Sequence, residues 1–237
     1  NNNNNNNNSS EASFNALTDR GISLETAKTF GVKCVLNSDG SIYSHYYPLY
    51  INNELTATKV RKPNKDFSWR GSGKGSGLFG QQLCSEGGKY ITLCEGECDA
   101  MGSKWPVVSI KDGVNSAVRD VKDNLEFLES FDTVIINFDN DKLGREAATK
   151  VARVLKPGKA KIQRLPDQFK DANEMLKLGQ HKAYVSSWWG AKVYTPSGVL
   201  NVTEERDNYK KRERKESIPY PWQGLNAKLE GLRQGEL

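Results

Sequence analysis

Two short apolar runs in this sequence are each followed at once by a group of acidic residues. Residues 90–94 (YITLC) lead into 95–99 (EGECD), and residues 133–138 (TVIINF) lead into 139–141 (DND). Short apolar runs are typical of buried parallel strands, and in open α/β sheets ligands bind at the carboxyl ends of the strands. We therefore expect five acids at two neighbouring strand ends. Such a cluster repels itself unless a cation is present.

The stretches around these runs complete an α/β pattern. Residues 107–110 and 161–165 are predicted to be two further strands, and residues 143–155 carry apolar side chains at helical spacing. Pro157 and Gly158 end that helix. Alternating strands and helices predict an α/β fold with a doubly wound, parallel-sheet layer.

The composition excludes several classes of protein. No stretch approaches the ~18 consecutive apolar residues of a membrane span, and no apolar secretory leader opens the chain. Cys34, Cys84, Cys94 and Cys98 contain no CxxC pair, and the chain has only two histidines. We therefore expect reduced thiols in an intracellular protein rather than a zinc site. The net charge of +5 is a mild excess, compatible with a nucleic-acid or nucleotide partner.

A basic module precedes the predicted sheet. Ser23 is expected to cap a helix that ends at Gly31, and two strands are expected around a turn at Asn52 and Asn53. Residues 59–74 then hold six basic residues and one acid, with aromatic residues between them. This mixture suits contact with phosphates and bases, although a solvated hairpin tip explains the same composition. The candidate nucleotide- or DNA-binding residues are Lys59, Arg61, Lys62, Lys65, Trp69 and Lys74.

The acids at the strand ends predict a metal site. Oxygen ligands without histidine or thiolate favour a hard divalent ion, Mg²⁺ or Mn²⁺. Capping of helix N-termini explains any one of these acids but explains the two adjacent strand ends less well. Gly96 is expected to let the backbone turn sharply from strand to helix. Asp171 is a weaker indication, because it also suits a helix N-cap.

Four motifs in order resemble a known family. EGECDA, SIKDG at 109–113, FDNDKLGREAA and KDANE look like the core of the Toprim fold. Together with KVRKPNKDF and GLFG at 77–80, they resemble more closely the primase half of the short-tailed-phage primase–helicases, whose mitochondrial relative is Twinkle. The resemblance runs from Ala16 to Leu237. It implies a Toprim α/β core preceded by a small α+β basic subdomain.

The resemblance also implies an activity, namely synthesis of short RNA primers on a single-stranded DNA template from ribonucleoside triphosphates. One 3′-hydroxyl would attack the α-phosphate of the next nucleotide and release pyrophosphate. By analogy, Mg²⁺ (or Mn²⁺) would be held by Glu95, Asp139 and Asp141, with Glu97, Asp99 and Asp171 as supporting acids. Lys59 and Lys65 would act with them in catalysis, and Lys74 would contact nucleotide or template.

We divide the chain into four parts. These are an Asn-rich disordered leader or vector linker at 1–12, a basic subdomain at 13–86, the Toprim domain at 87–192, and a charged linker with the start of a truncated RecA-like helicase domain at 193–237. The resemblance implies a fragment without ATPase activity, from a hexameric or heptameric ring in the cytoplasm of an infected bacterium or in an organelle. No zinc module is present here, so a non-catalytic module that binds single-stranded DNA remains the alternative function.

Overall fold

The computed structural model describes residues 11–62, 66–72 and 76–196. The chain divides into two compact units, Asn1–Tyr194 and Thr195–Leu237, and the elements described below belong to the first. Lys65, Lys74, residues 1–10 of the Asn-rich leader and the linker beyond Pro196 lie outside the described residues. Within the described part, no helix combines the length and apolarity needed to cross a membrane.

The amino-terminal part is a small α+β subdomain. After a 3₁₀ turn at Thr18–Arg20, helix α1 spans Leu24–Phe30, and the hydroxyl of Ser23 caps it by accepting a hydrogen bond from the N–H of Thr26 at 3.1 Å. An antiparallel sheet follows, in the order β1 (Lys33–Leu36), β2 (Ile42–Ile51), β3 (Glu54–Arg61) and β4 (Phe67–Gly71).

The second part is a sheet covered by helices. Its elements are β5 (Gly88–Cys94), α2 (Glu97–Gly102), β6 (Val107–Ser109), α3 (Ala117–Asp123), α4 (Leu125–Glu129), β7 (Phe131–Asn137), α5 (Lys142–Ala152), β8 (Ala160–Ile162), α6 (Ala172–Lys177), α7 (His181–Trp189) and β9 (Lys192–Val193). The strand order is β6-β5-β7-β8-β9, and all pairs are parallel except β8 with β9. The predicted parallel-sheet α/β layer is confirmed, and a small α+β subdomain precedes it in the chain.

Both faces of this sheet are buried, which explains why its strands are apolar along their length. Ile91, Leu93, Val134 and Ile136 pack with residues of α3, α4 and α5 on one side. On the other side, Ile135 packs with residues of α6 and α7. A third cluster joins α1 and α2 to the amino-terminal sheet, so α2 is held between the two parts of the molecule. The four cysteines are free, in agreement with the sequence.

Two local predictions need correction. The strand predicted at 161–165 is Ala160–Ile162, because the chain leaves the sheet before Leu165, whose side chain packs with α6 and α7 instead. Gly96 has extended backbone angles, φ −122° and ψ 158°, so no unusual turn requires a glycine. A Cβ atom there would lie 2.8 Å from Oδ2 of Asp99, so a larger residue would force that carboxylate to shift.

Candidate active site

The ends of β5 and β7 bring two carboxylates together. These strands pair in parallel with Cys94 opposite Asn137, so Glu95 and Asp139 leave the sheet side by side. The backbone N–H of Asp139 donates a hydrogen bond to Oε2 of Glu95 at 3.2 Å. Both residues line a cleft of ≈ 350 Å³ at this edge of the sheet. The placement follows from the register and was expected from the sequence.

Helix α5 starts immediately after these residues and packs closely against the backbone of Asp139. Asp141 caps this helix by accepting a hydrogen bond from the N–H of Gly144 at 2.8 Å. A Cβ atom at position 144 would lie 2.2 Å from the carbonyl oxygen of Asp139, so only glycine allows the helix to approach this closely. Asp141 is exposed and is not among the residues that line the cleft.

The KDANE segment forms another wall of the cleft, and Asn140 anchors it. The side-chain amide of Asn140 donates to the carbonyls of Leu165, Pro166 and Phe169 at 3.2–3.4 Å. Its backbone N–H donates to the carbonyl of Lys170 at 2.6 Å. These bonds hold Lys170 and its neighbours beside the strand ends.

Two more acids face the same cleft from α2 and α6. Asp171 caps α6 through the N–H of Glu174 at 2.7 Å. Oδ1 of Asp99 accepts a hydrogen bond from the N–H of Asn173 at 2.9 Å. Glu97 and Asp112 also line this cleft, and the carboxylates of Glu95, Asp99, Asp139 and Asp171 share it. Each belongs to a different loop or helix start, so the fold brings them together.

The carboxylates raise one another's affinity for protons. Desolvation, followed by the charge of Asp139, raises the pKa of Glu95 to about 7. Desolvation, followed by the charge of Asp171, raises the pKa of Asp99 to about 8. Burial also raises the pKa of Asp139, even though the ammonium of Lys170 acts in the opposite direction. The cluster is therefore short of positive charge.

Lys170 supplies part of that positive charge. Its Nζ lies 3.0 Å from Oδ2 of Asp139 and 3.8 Å from Oδ2 of Asp171. The side chain of Lys170 is 62% exposed, so solvent reaches this ion pair. An all-oxygen donor set suits Mg²⁺ or Mn²⁺. In the present arrangement, however, no group of three His, Cys, Asp or Glu residues among those described is close enough to hold a metal ion.

The opposite wall of the cleft is basic. Lys59 and Arg61 come from β3 and Phe67 from β4. Nζ of Lys59 donates to Oε1 of Glu97 at 2.8 Å and lies 4.4 Å from the centre of the Phe67 ring. Glu97 is thus paired with a lysine, and it lines the same cleft as the other acids. This ion pair is almost fully buried, with side-chain exposures of 8% for Lys59 and 7% for Glu97.

Other predicted binding residues lie elsewhere. Lys62 lines a neighbouring cleft of ≈ 260 Å³ that also includes Arg61 and His45. Trp69 is 37% exposed on β4 and does not line the carboxylate cleft. Lys65 and Lys74 lie outside the described residues. Their binding roles stay predictions.

Several residues of this region were not found from the sequence. Lys111 is 5% exposed, and its carbonyl accepts a hydrogen bond from Lys59 while its Nζ donates to the carbonyl of Ser76 at 2.9 Å. Its N–H donates to Oδ2 of Asp120, which is fully buried. The SIKDG motif contains Lys111, but as part of the family resemblance it assigned no role to this lysine. Arg20 also lines the carboxylate cleft. Neither Lys170 nor Arg20 was indicated by the sequence, because a lone basic residue in a charged segment is usually a solvated side chain.

Comparison with known proteins connects this arrangement to a family. A sequence profile described as Toprim-like matches residues 92–176. The DNA helicase/primase of Enterobacteria phage T3 is 34% identical over 238 residues, which cover 96% of this chain and 41% of that protein. The chain therefore spans less than half the length of this relative.

Two solved structures from phage T7 agree with this result. The crystal structure of the primase fragment of the T7 primase-helicase protein matches with a TM-score of 0.67 at 34% identity, covering 74% of each chain. The second contains the T7 lagging-strand DNA polymerase interacting with primase domains of two subunits bound to an RNA/DNA hybrid and dTTP. It matches with a TM-score of 0.69 at 34% identity, covering 77% of this chain and 94% of that one. The chain thus belongs to the Toprim primase domains of the phage primase–helicase family.

Proposed function

We propose that this chain is a DNA primase that makes short RNA primers on single-stranded DNA by metal-dependent nucleotidyl transfer. The observation that carries the proposal is the meeting of Glu95 and Asp139 at adjacent strand ends, opposite a basic wall formed by Lys59 and Arg61. A cleft with acids on one side and bases on the other can bind a metal-complexed nucleoside triphosphate. Membership of the primase family supports the same conclusion.

Mg²⁺ or Mn²⁺ is the proposed cofactor, with Glu95, Asp139 and Asp141 as ligands and Asp99 and Asp171 in support. A bound divalent ion supplies stabilisation of the charge on the attacking and leaving oxygens. Asp141 is available for this role because its helix cap uses only Oδ1. Glu97 has a different role in this proposal, since its carboxylate holds Lys59 in place.

The basic and aromatic residues of the chain bind and orient the substrates. Arg61 would neutralise part of the triphosphate charge, and it lies 5.6 Å from the centre of the Phe67 ring. Lys59 would contribute less, because Glu97 already compensates its charge. Phe67 is 49% exposed, so one face of its ring is open to a base. Lys62, Lys65, Trp69 and Lys74 extend this binding surface toward the template. Lys65 can be tested together with Lys59 for a direct catalytic contribution.

A second candidate function is a non-catalytic module that binds single-stranded DNA beside a helicase ring. The Lys170–Asp139 ion pair favours it, because this lysine already satisfies one of the carboxylates that a metal would need. In a primase, Lys170 would release Asp139 so that its carboxylate could hold the metal. In the binding module, the ion pair would persist with Mn²⁺ present.

We further propose that a helicase domain follows this domain in the longer protein, which acts in the cytoplasm of an infected bacterium. The name of the T3 relative, helicase/primase, supports this arrangement. In that setting the helicase would assemble a hexameric or heptameric ring that supplies single-stranded template to the primase. An organellar relative would carry out the same steps after import.

Primer synthesis tests the proposed activity. The assay contains single-stranded DNA, labelled ribonucleotides, Mg²⁺ or Mn²⁺, and diribonucleotides that bypass initiation. The Asp139→Ala/Asp141→Ala double variant should abolish extension. Asp132→Ala, which removes an exposed acid from the same strand β7, should leave extension unchanged. Absence of extension in the parent protein, together with intact single-strand binding, would favour the non-catalytic module.

A further inference from the structure

A second groove opens at the opposite edge of the same sheet. It measures ≈ 510 Å³ and lies where β5 and β7 begin and where the chain enters β6. Its walls come from the segment before β5, the loop before β6 and the end of α7. The carboxylate cleft lies at the other end of β5, a strand of seven residues. At about 3.3 Å per residue, the two sites are roughly 20 Å apart along that strand.

Aromatic rings dominate this groove. Trp105 is 49% exposed and Trp189 is 59% exposed, which leaves large ring surfaces open to a ligand. The rings of Trp188 and Trp189 meet edge to face, with their centres 4.8 Å apart. The indole N–H of Trp188 donates a hydrogen bond to Oγ1 of Thr92 at 2.9 Å. The ring of Tyr90 lies 5.8 Å from that of Trp189. The buried ring of Trp188 and the partly buried ring of Tyr90 therefore pack against Trp189.

Two lysines add positive charge to these rings. Nζ of Lys104 lies 5.1 Å from the ring centre of Trp188 and 5.3 Å from that of Trp189. Nζ of Lys89 lies 5.5 Å from the ring centre of Tyr90. Among the described residues that line the groove, none is acidic. The groove is thus electropositive as well as aromatic.

We propose that this groove is a second binding site for single-stranded nucleic acid, separate from the catalytic cleft. Exposed aromatic faces stack on unpaired bases, and neighbouring lysines neutralise the phosphates between them. An extended peptide could also contact the aromatic rings, but the pair of lysines without an acidic partner favours a polyanion. Gly87 and Gly88 on the rim carry no side chains, so a strand can approach the backbone there.

A strand that occupies both sites would run from one edge of the sheet to the other. The groove would then hold template that lies outside the catalytic cleft and keep the protein on the same strand. Binding at the groove needs neither metal nor nucleotide. The inference therefore goes beyond the proposed primase activity and can be tested without it.

Binding of oligothymidylates by the Trp105→Ala/Trp189→Ala double variant tests the proposal. We expect roughly tenfold weaker binding of an oligonucleotide of about 20 nucleotides, because base stacking contributes about 1–3 kcal/mol per base. Leu178→Ala, which removes an exposed apolar side chain on another surface, should leave binding unchanged. The Trp105→Phe/Trp189→Phe variant keeps aromatic faces and should retain most of the affinity.

Further variants distinguish the contribution of the two lysines from that of base stacking, and binding at the groove from binding at the catalytic cleft. Lys89→Ala/Lys104→Ala should weaken binding and reduce its dependence on salt concentration. Removing the basic wall of the cleft with Arg61→Ala should add to the effect of the tryptophan changes, because the sites are distinct. Unchanged affinity in the double-tryptophan variant, with thermal melting that shows an intact fold, would overturn the proposal. The proposal would also be overturned if that variant lost affinity for heparin by the same factor as for the oligonucleotide. Heparin has no bases, so stacking on bases would then play no part.

Discussion

The two edges of the parallel sheet carry opposite kinds of chemistry. At the carboxyl edge, Glu95 and Asp139 crowd together in a cleft that raises their pKa values. At the amino edge, Trp105 and Trp189 lie exposed beside two lysines, with no acid among the described lining residues. The first edge gathers groups that repel one another and the second gathers groups that attract one another. A metal-binding site needs the former, whereas a sequence-tolerant binding surface can be built from the latter.

The buried pair beside the carboxylates provides the largest expected effect on stability. Glu97→Ala leaves the ammonium of Lys59 buried without its partner, so the free energy of unfolding should fall by about 3–5 kcal/mol. Urea denaturation measures the change. Lys59→Met/Glu97→Leu removes both charges and should be clearly more stable than Glu97→Ala alone. Equal stability of the two variants would contradict the buried-charge explanation.

Metal binding should stabilise the carboxyl edge and leave the amino edge unaffected. At a Mn²⁺ concentration about 100 times the Kd, mass action raises the free energy of unfolding by about 2.7 kcal/mol. Thermal melting with and without Mn²⁺ measures this shift. Asp139→Asn should lose it, whereas Trp189→Ala should keep it. A shift of the same size in Asp139→Asn would mean that the metal binds elsewhere.

The close packing of α5 against the backbone of Asp139 can be tested by replacing a glycine. Gly144→Ala places a Cβ atom against the Asp139 carbonyl, so we expect a loss of about 1–3 kcal/mol in stability from overpacking. Primer synthesis should fall further than stability alone explains, because Asp139 is displaced. Gly158→Ala makes a suitable comparison for glycine replacement, since no atom lies within 4 Å of its Cβ position. That site has a φ of +84°, so its own loss in stability reports backbone strain without any contact near the cleft.

A dependence of stability on pH is also expected in the absence of metal. The pKa of Glu95 is raised from 4.5 to about 7 and that of Asp99 from 3.8 to about 8, so the folded protein binds more protons than the unfolded chain between these values. Stability should therefore fall as the pH rises from about 4 to about 8, the range between the ordinary and the raised pKa values.

Thermal melting in EDTA across this pH range measures the slope. Glu95→Gln removes one of the two groups and should flatten the decrease. Saturating Mg²⁺ should also flatten it, because the metal compensates the charge that protons otherwise neutralise. A stability that rises steadily over the same range would contradict the raised pKa values.

Local sequence signals predicted the elements around the site well. Ser23 and Gly31 mark the ends of α1, and Asn52 and Asn53 form the expected turn with φ values of 49° and 66°. These features depend on contacts within a few residues, which a local pattern contains. The strand predicted at 161–165 lies at Ala160–Ile162 instead. Leu165 is apolar because it packs with α6 and α7, and it does not belong to the strand.

The roles of the acids could be predicted only in part. The pairing of β5 with β7 places Glu95 beside Asp139, as apolar strands that end in acids suggested. Nothing in the local sequence indicated that Glu97 would face Lys59, which lies 38 residues earlier. The contribution of Lys170 was missed in the same way, since it depends on Asn140 anchoring a distant loop.

The sequence by itself determined the class of fold, the acidic strand ends and the family, because strand periodicity, capping residues and ordered motifs are properties of neighbouring positions. The tertiary structure decided which charges meet. It paired Glu97 with Lys59, placed Lys170 beside Asp139, and assembled an aromatic groove from four separate segments of the chain. Electrostatic and stacking energies depend on distance in space and on exclusion of water, and packing between separate elements sets both.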